Sequence, residues 1–230
     1  MNDLSAFREA AAQMKSREGF GGTIIKFNGE TGHWTAGAGS KKTIIDGRRL
    51  VLGVWLILRG YQKFVDSKPH YHSLGFVRDR HQLPTRDMLG DLDKTCWRNN
   101  RDPWQITYYL PALDPDSRQH FMYTTDSAGG QDALSALQTA FADHSDAHRN
   151  AVPQWPLAEL ASDSYTNSYE KRIHIPIFQI LEWLDPPPNF QAVAPPPNTL
   201  PKIEHKPADG RTIDATAQPA NQNMDDEIPF

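Results

Sequence analysis

Apolar and polar positions along this chain of 230 residues follow a two-residue period in several short stretches and a helical period in one. Gly22 to Phe27 reads as a strand running into a turn at Asn28-Gly29, and Thr31 to Ala36 continues it as a hairpin. Gly37 to Lys42 is a flexible basic loop. Arg49 to Tyr61 holds Leu50, Val51, Leu52, Val54, Trp55, Leu56, Ile57 and Leu58, a run too short and too interrupted to span a membrane. It is expected to form one central buried strand, with a bulge at Gly53 or Gly60. A polar turn at Asp66 to Pro69 precedes a further strand over Leu74 to Val77. Trp104 to Leu110 and His120 to Thr125 form a strand pair around the turn Asp114-Pro115-Asp116-Ser117. From Gln131 to His144 the period changes, and Ala133, Leu134, Leu137, Ala140 and Phe141 fall on one helical face. Pro153 to Leu157 reads as a loop, and Lys171 to Leu184, with Pro176 inside it, as a last strand at an edge or bulge.

The expected fold class is therefore mainly β with one or two helices, the second being a short amphipathic stretch over Phe7 to Lys15. Several strands around one amphipathic helix suit a β-barrel, whose nucleic-acid version is the oligonucleotide-binding (OB) fold. Residues 1–20 are a lead-in and 21–185 the β-rich domain, long enough to bury a sizeable core. Residues 186–230 differ in kind. They carry 10 of the chain's 18 prolines and few large apolar residues. Such a stretch does not bury enough surface to offset its ordering entropy, so a disordered, partly extended tail is expected.

Charge refines this division. The net charge is −4, but its distribution is uneven, and Lys15 to Arg80 holds 12 Lys or Arg against 5 Asp or Glu. His81 to Asp185 holds 8 against 15, and the tail 3 against 6. A basic first half and an acidic tail suit a body that holds phosphate and a tail that stays off it. The single cysteine, Cys96, precludes an intramolecular disulfide and reads as a small buried residue in a reducing compartment. With no 18-residue apolar run and no signal-peptide core in Met1 to Phe20, a cytoplasmic location away from membranes is expected.

Binding single-stranded DNA takes basic side chains along the backbone path and aromatic rings on which bases stack. The first half interleaves both. The candidates are Trp34 and Tyr61 for stacking, with Lys26, Lys41, Lys42, Arg59 and Lys63 for phosphates. Trp34 lies in a polar hairpin beside His33, which argues for exposure, whereas Trp55 within the apolar run reads as core. Catalytic and cofactor patterns are weak. His70, His72, His81 and Cys96 lack the spacing of a zinc site, so no metal is expected. Asp87, Asp91, Asp93 and Asp102 read as solvated turn or cap residues. Ser127-Ala128-Gly129-Gly130 precedes a helix without the Gly-Lys-Ser or Gly-Lys-Thr of a nucleotide loop, so a helix cap is its role and no cofactor is called for. The chain does not read as an enzyme.

The last six residues are Asp225, Asp226, Glu227, Ile228, Pro229 and Phe230. Phe230 joins a ring to the α-carboxylate, so a partner can take it with an apolar pocket and an arginine. Pro229 restricts the hook, and the three acids attract a basic rim. These residues resemble the C-terminal tip of bacterial single-stranded DNA-binding proteins, Asp-Asp-Asp-Ile-Pro-Phe, with Glu227 as a charge-conserving departure. The resemblance implies a single-stranded DNA-binding protein that coats DNA and recruits host replication, repair and recombination enzymes, such as exonuclease I, through Asp225 to Phe230. The body resembles no standard bacterial member, which points to a phage or mobile element, and the oligomeric state stays open. The alternative is an interaction protein or inhibitor that carries the tip to compete for the same host pockets.

Overall fold

The computed structural model describes residues 22–65, 68–90, 101–148, 153–187 and 190. The expected helix over Phe7 to Lys15, residues Asp91, Asp93 and Cys96, and the tail with its tip (apart from residues 186, 187 and 190) lie outside them. The described chain is mainly β with one helix, built on a strongly curled open sheet that forms half a barrel.

The strands are β1 (Thr23–Phe27), β2 (Trp34–Ala36), β3 (Thr43–Ile44), β4 (Arg49–Leu52), β5 (Leu58–Val65), β6 (Lys68–Phe76), β7 (Trp104–Leu113), β8 (His120–Thr125), β9 (Trp155–Thr166) and β10 (Arg172–Leu184), with the helix α1 (Ala128–Ala147) between β8 and β9. The main order is β10-β9-β4-β7-β8-β1-β2-β3, and β5 joins β7 beside β4 and carries β6 outward. Among the described residues all pairs are antiparallel except β1 with β8. Curling brings distant strands together: the N–H of His174 on β10 donates to Gly29 O in the β1–β2 turn at 2.9 Å.

The expected single strand over Arg49 to Tyr61 is two. Both β4 and β5 pair with the same side of β7. Val51 and Leu52 of β4 stand opposite Leu113 and Ala112, and β5 takes over at Tyr109, opposite Leu58. Between them lies Pro111, whose carbonyl accepts from the Gly53 N–H at 2.8 Å. The N–H and C=O of one residue face the same side of a strand, so Pro111 lacks its donor toward β4 and β5. There the partner chain leaves the ladder in a 3₁₀ turn over Val54–Leu56. That turn places Trp55 outward, 50% exposed, where the apolar run predicted core. Gly60 serves a different need, because a Cβ there would lie 1.9 Å from the Ser73 carbonyl oxygen across β6.

One large core fills the concave side of the sheet. Leu50, Leu52, Leu110, Ala112, Phe121 and Tyr123 meet Leu134, Leu137 and Phe141 of α1 there. Ser127 caps the helix, its Oγ accepting from the Gly130 N–H at 3.2 Å, which satisfies an otherwise orphaned donor. The turn at Asp114 is as expected: its Oδ1 accepts from Asp116 N at 2.8 Å and Ser117 N at 3.0 Å. The stretch Pro153 to Leu157, expected as a loop, is one only at Pro153 and Gln154, and Trp155 already opens β9, which forms a long hairpin with β10. Among the described residues no helix is long and apolar enough to cross a membrane.

Candidate nucleic-acid interface

β5 is the spine of the candidate site. Arg59, Tyr61 and Lys63 alternate onto one face of the strand. Opposite them on β7 stand Tyr108, Ile106 and Trp104, and on β6 Gly75, Ser73 and Tyr71. These cross-strand positions share a face. The Arg59 guanidinium lies 5.8 Å from the centre of the Tyr108 ring, and the Lys63 ammonium 5.8 Å from that of Tyr71. Tyr108 packs against the core at its base, which fixes the ring with little side-chain entropy left to lose.

The segment after β6 folds back over this face and makes a groove. Arg59, Tyr61 and Tyr108 form its floor, Val77, Arg80, Leu83, Pro84, Thr85 and Arg86 one wall, and Gln138 of α1 the other, around a volume of about 530 Å³. Arg86 holds the wall in place: Nε donates to Asp102 Oδ2 at 2.6 Å, Nη2 to Oδ1 at 2.9 Å and Nη1 to Gly90 O at 2.6 Å. Asp102 thus has a structural task beyond that of a solvated acid. Arg80 lies exposed on the rim. A second groove of equal volume, between α1 and β10, is lined by Ala133, Ala136, Ala140, Ile175, Phe178 and their neighbours, with Asp132 as its charged residue. It offers no cation to a phosphate. Of the two, the first alone combines cations with rings.

The structure brings Arg59, Tyr61 and Lys63 together and separates the other candidates from them. Lys41 and Lys42 are exposed on the β2–β3 connection, at the far end of the strand order from β5 and β6. Lys26, exposed on β1, lines a small notch with Gln62, Thr107 and Asp126, and Gln62 faces the side opposite to Tyr61. Trp34 is a correction. It is 1% exposed, so no base stacks on it. Its ring centre lies 5.2 Å from those of Phe27 and Tyr123 and 5.3 Å from that of Phe178. Its Nε1 donates to Ala161 O at 2.7 Å, which gives the buried indole the hydrogen bond it needs.

Sequence reasoning passed over Tyr108, Arg80 and Arg86. Tyr108 gives no signal of its own in the sequence, since no cation stands beside it. Its cation, Arg59, arrives only through strand pairing. His72 and His81 do not assemble into a site, and among the described residues no group of three His, Cys, Asp or Glu is placed to hold a metal. Comparison with known proteins finds no family model, no curated relative and no solved structure that matches the chain.

Proposed function

We propose that this chain is a single-stranded DNA-binding protein whose curled sheet is an OB-type barrel, and whose C-terminal tip recruits host genome-maintenance enzymes. The observation that carries the reading is the groove over β5 and β7, where Arg59 and Arg80 flank the rings of Tyr61 and Tyr108. Unpaired bases stack on such rings whatever their identity, while the cations follow the backbone. A wall made by residues 77–86 on one side and α1 on the other suits one flexible strand better than a rigid duplex. The OB-type assignment is supported by the partly open, curled sheet and the helix that plugs its concave side. The recruiting role rests on the sequence Asp225 to Phe230, and a phage or mobile-element source accords with a body that matches no known family.

The test is a titration with an oligonucleotide and with the duplex of the same sequence, at rising salt, using the full chain and the chain ending at Asp185. Single strands are expected to bind far better than duplex, with a steep fall in affinity as salt rises. The shorter chain is expected to keep or modestly gain affinity, since acids on a tether compete for a basic groove. Absence of binding at low salt by both chains, with the tip still capturing a host enzyme, would favour the inhibitor that carries a borrowed tip.

A further inference from the structure

Beyond the groove, a row of rings continues along α1. Trp55, turned outward by the interruption at Pro111, lies 6.3 Å from the Phe141 ring, and Phe141 lies 6.3 Å from Trp183. Trp183 on β10 stacks against His144 at 4.0 Å with the planes 4° apart, and His148 follows at 4.3 Å. Arg78 stands at the near end, its guanidinium 4.5 Å from the Phe76 ring centre and 5.8 Å from that of Trp55.

We propose that this row is a second subsite for single-stranded nucleic acid, in which unpaired bases stack on Trp55 beside Arg78 and on the Trp183–His144 pair. The inference rests on the groove as the strand's path and lengthens that path. Three observations carry it. The first is exposure, since Trp55 shows half its surface although the turn that holds it also supplies Val54 and Leu56 to the core. The second is continuity. Gln138 lines the groove, and Phe141, His144 and His148 succeed it on the same side of α1, roughly 15 Å of helix from 138 to 148. Val77 and Arg80 line the groove as well, with Arg78 between them.

The third is charge. Asp132, Asp143 and Asp146 lie roughly 140–200° round the helix from Phe141, so α1 turns its carboxylates away from the row. Arg78 donates from Nη1 to Trp55 O at 3.3 Å, which holds its guanidinium at the level of the indole. Asp79, 3.7 Å from Arg78 Nε, tempers that charge without covering the ring. A cation fixed at the edge of an exposed ring can meet the phosphate of a base stacked on it.

Two oligothymidylates, of about 4 and about 16 nucleotides, span the range for one OB-type domain. They are titrated into the full chain and into Trp55→Ala and Tyr108→Ala, with thermal melting as the fold control. Trp55→Ala is expected to weaken the long oligonucleotide about fivefold or more and to leave the short one unchanged, whereas Tyr108→Ala weakens both. Equal affinity of Trp55→Ala and wild type for the long strand would overturn the second subsite and leave the groove standing. Failure of the wild type to bind either length would end the groove reading, and this one with it. Should Trp55→Ala melt early, the wild-type chain is photocrosslinked to an iodouridine strand. Label on Trp55 within the tryptic peptide 50–59 is expected, and its absence there overturns the inference.

Discussion

Trp34 stands between His33 and Thr35 in a polar hairpin, yet its ring sits among Phe27, Tyr123 and Phe178. What buries it is a carbonyl 127 positions away, at Ala161, and no local pattern announces that distance. Trp34→Phe keeps the ring cluster and removes the indole N–H donor. It is expected to lower stability by about 1–3 kcal/mol in chemical denaturation, with single-strand affinity unchanged in the folded fraction. Asp114 was legible as a turn residue, but its second partner was not. Burial acts to raise its pKa, and the Ser117 and Asp116 amides together with Arg48 outweigh that, so the carboxyl titrates below its ordinary 3.8. Arg48 Nε donates to Asp114 Oδ2 at 2.8 Å. A depressed folded pKa contributes stability that is fully present above the unfolded value and is lost as pH falls through the folded one. Asp114→Asn is therefore expected to melt earlier than wild type at pH 7, and the difference should shrink as the pH falls below about 4. A difference that persists unchanged into acid would assign the loss to shape instead of charge.

At the scale of elements, periodicity and turn chemistry read β1, β2, β7, β8, β10 and the helix correctly in kind, because each carries its own alternation or a strong turn at its end. The failures fall where pairing overrides the local pattern. Pro111 in a central strand forces the 3₁₀ turn that splits β4 from β5 and exposes Trp55, an effect decided on the neighbouring strand. β9 is hidden by Pro156 near its start and by the polar run Ser162-Asp163-Ser164. Its pairing with β10 spans both, and β4 joins only from Leu157 onward. Of the candidate site, Arg59, Tyr61 and Lys63 were legible because their two-residue spacing puts them on one face of any strand. Tyr108 and Arg80 were not, since they reach that face through pairing and through a loop. The helix cap was legible from Ser127-Ala128-Gly129-Gly130. Ser127→Ala is expected to cost about 1 kcal/mol of stability, measured by thermal melting, without loss of DNA affinity, because the role of Ser127 is to cap the helix and not to hold phosphate.

Over the whole molecule, the proposed function divides between a folded groove and a terminal hook joined by a proline-rich stretch. The two should then fail independently. Removing Phe230 deletes the ring and moves the α-carboxylate onto Pro229, so a pocket-plus-arginine receptor loses its apolar anchor and its ion-pair geometry together. Such a variant is expected to bind single strands as wild type does and to lose association with exonuclease I, or another enzyme that recognises such tips, in a side-by-side titration. Equal association would make the terminal resemblance a coincidence. The charge layout agrees with this division: Arg59, Arg78 and Arg80 lie in the basic first half, Arg86, paired with Asp102 in the groove wall, comes just after it, and the acids that would repel phosphate lie mostly beyond Arg80. The central claim is that single strands lie in the groove over β5 and β7, and the most direct measurement of it is the salt-dependent affinity of Arg59→Ala/Tyr108→Ala for a single strand beside wild type. The account predicts an affinity at least about tenfold lower, a log–log salt slope shallower by about 0.7 for each phosphate that is no longer neutralised, and far-ultraviolet circular dichroism like that of wild type. Equal affinity and equal slope in a folded double variant would contradict it.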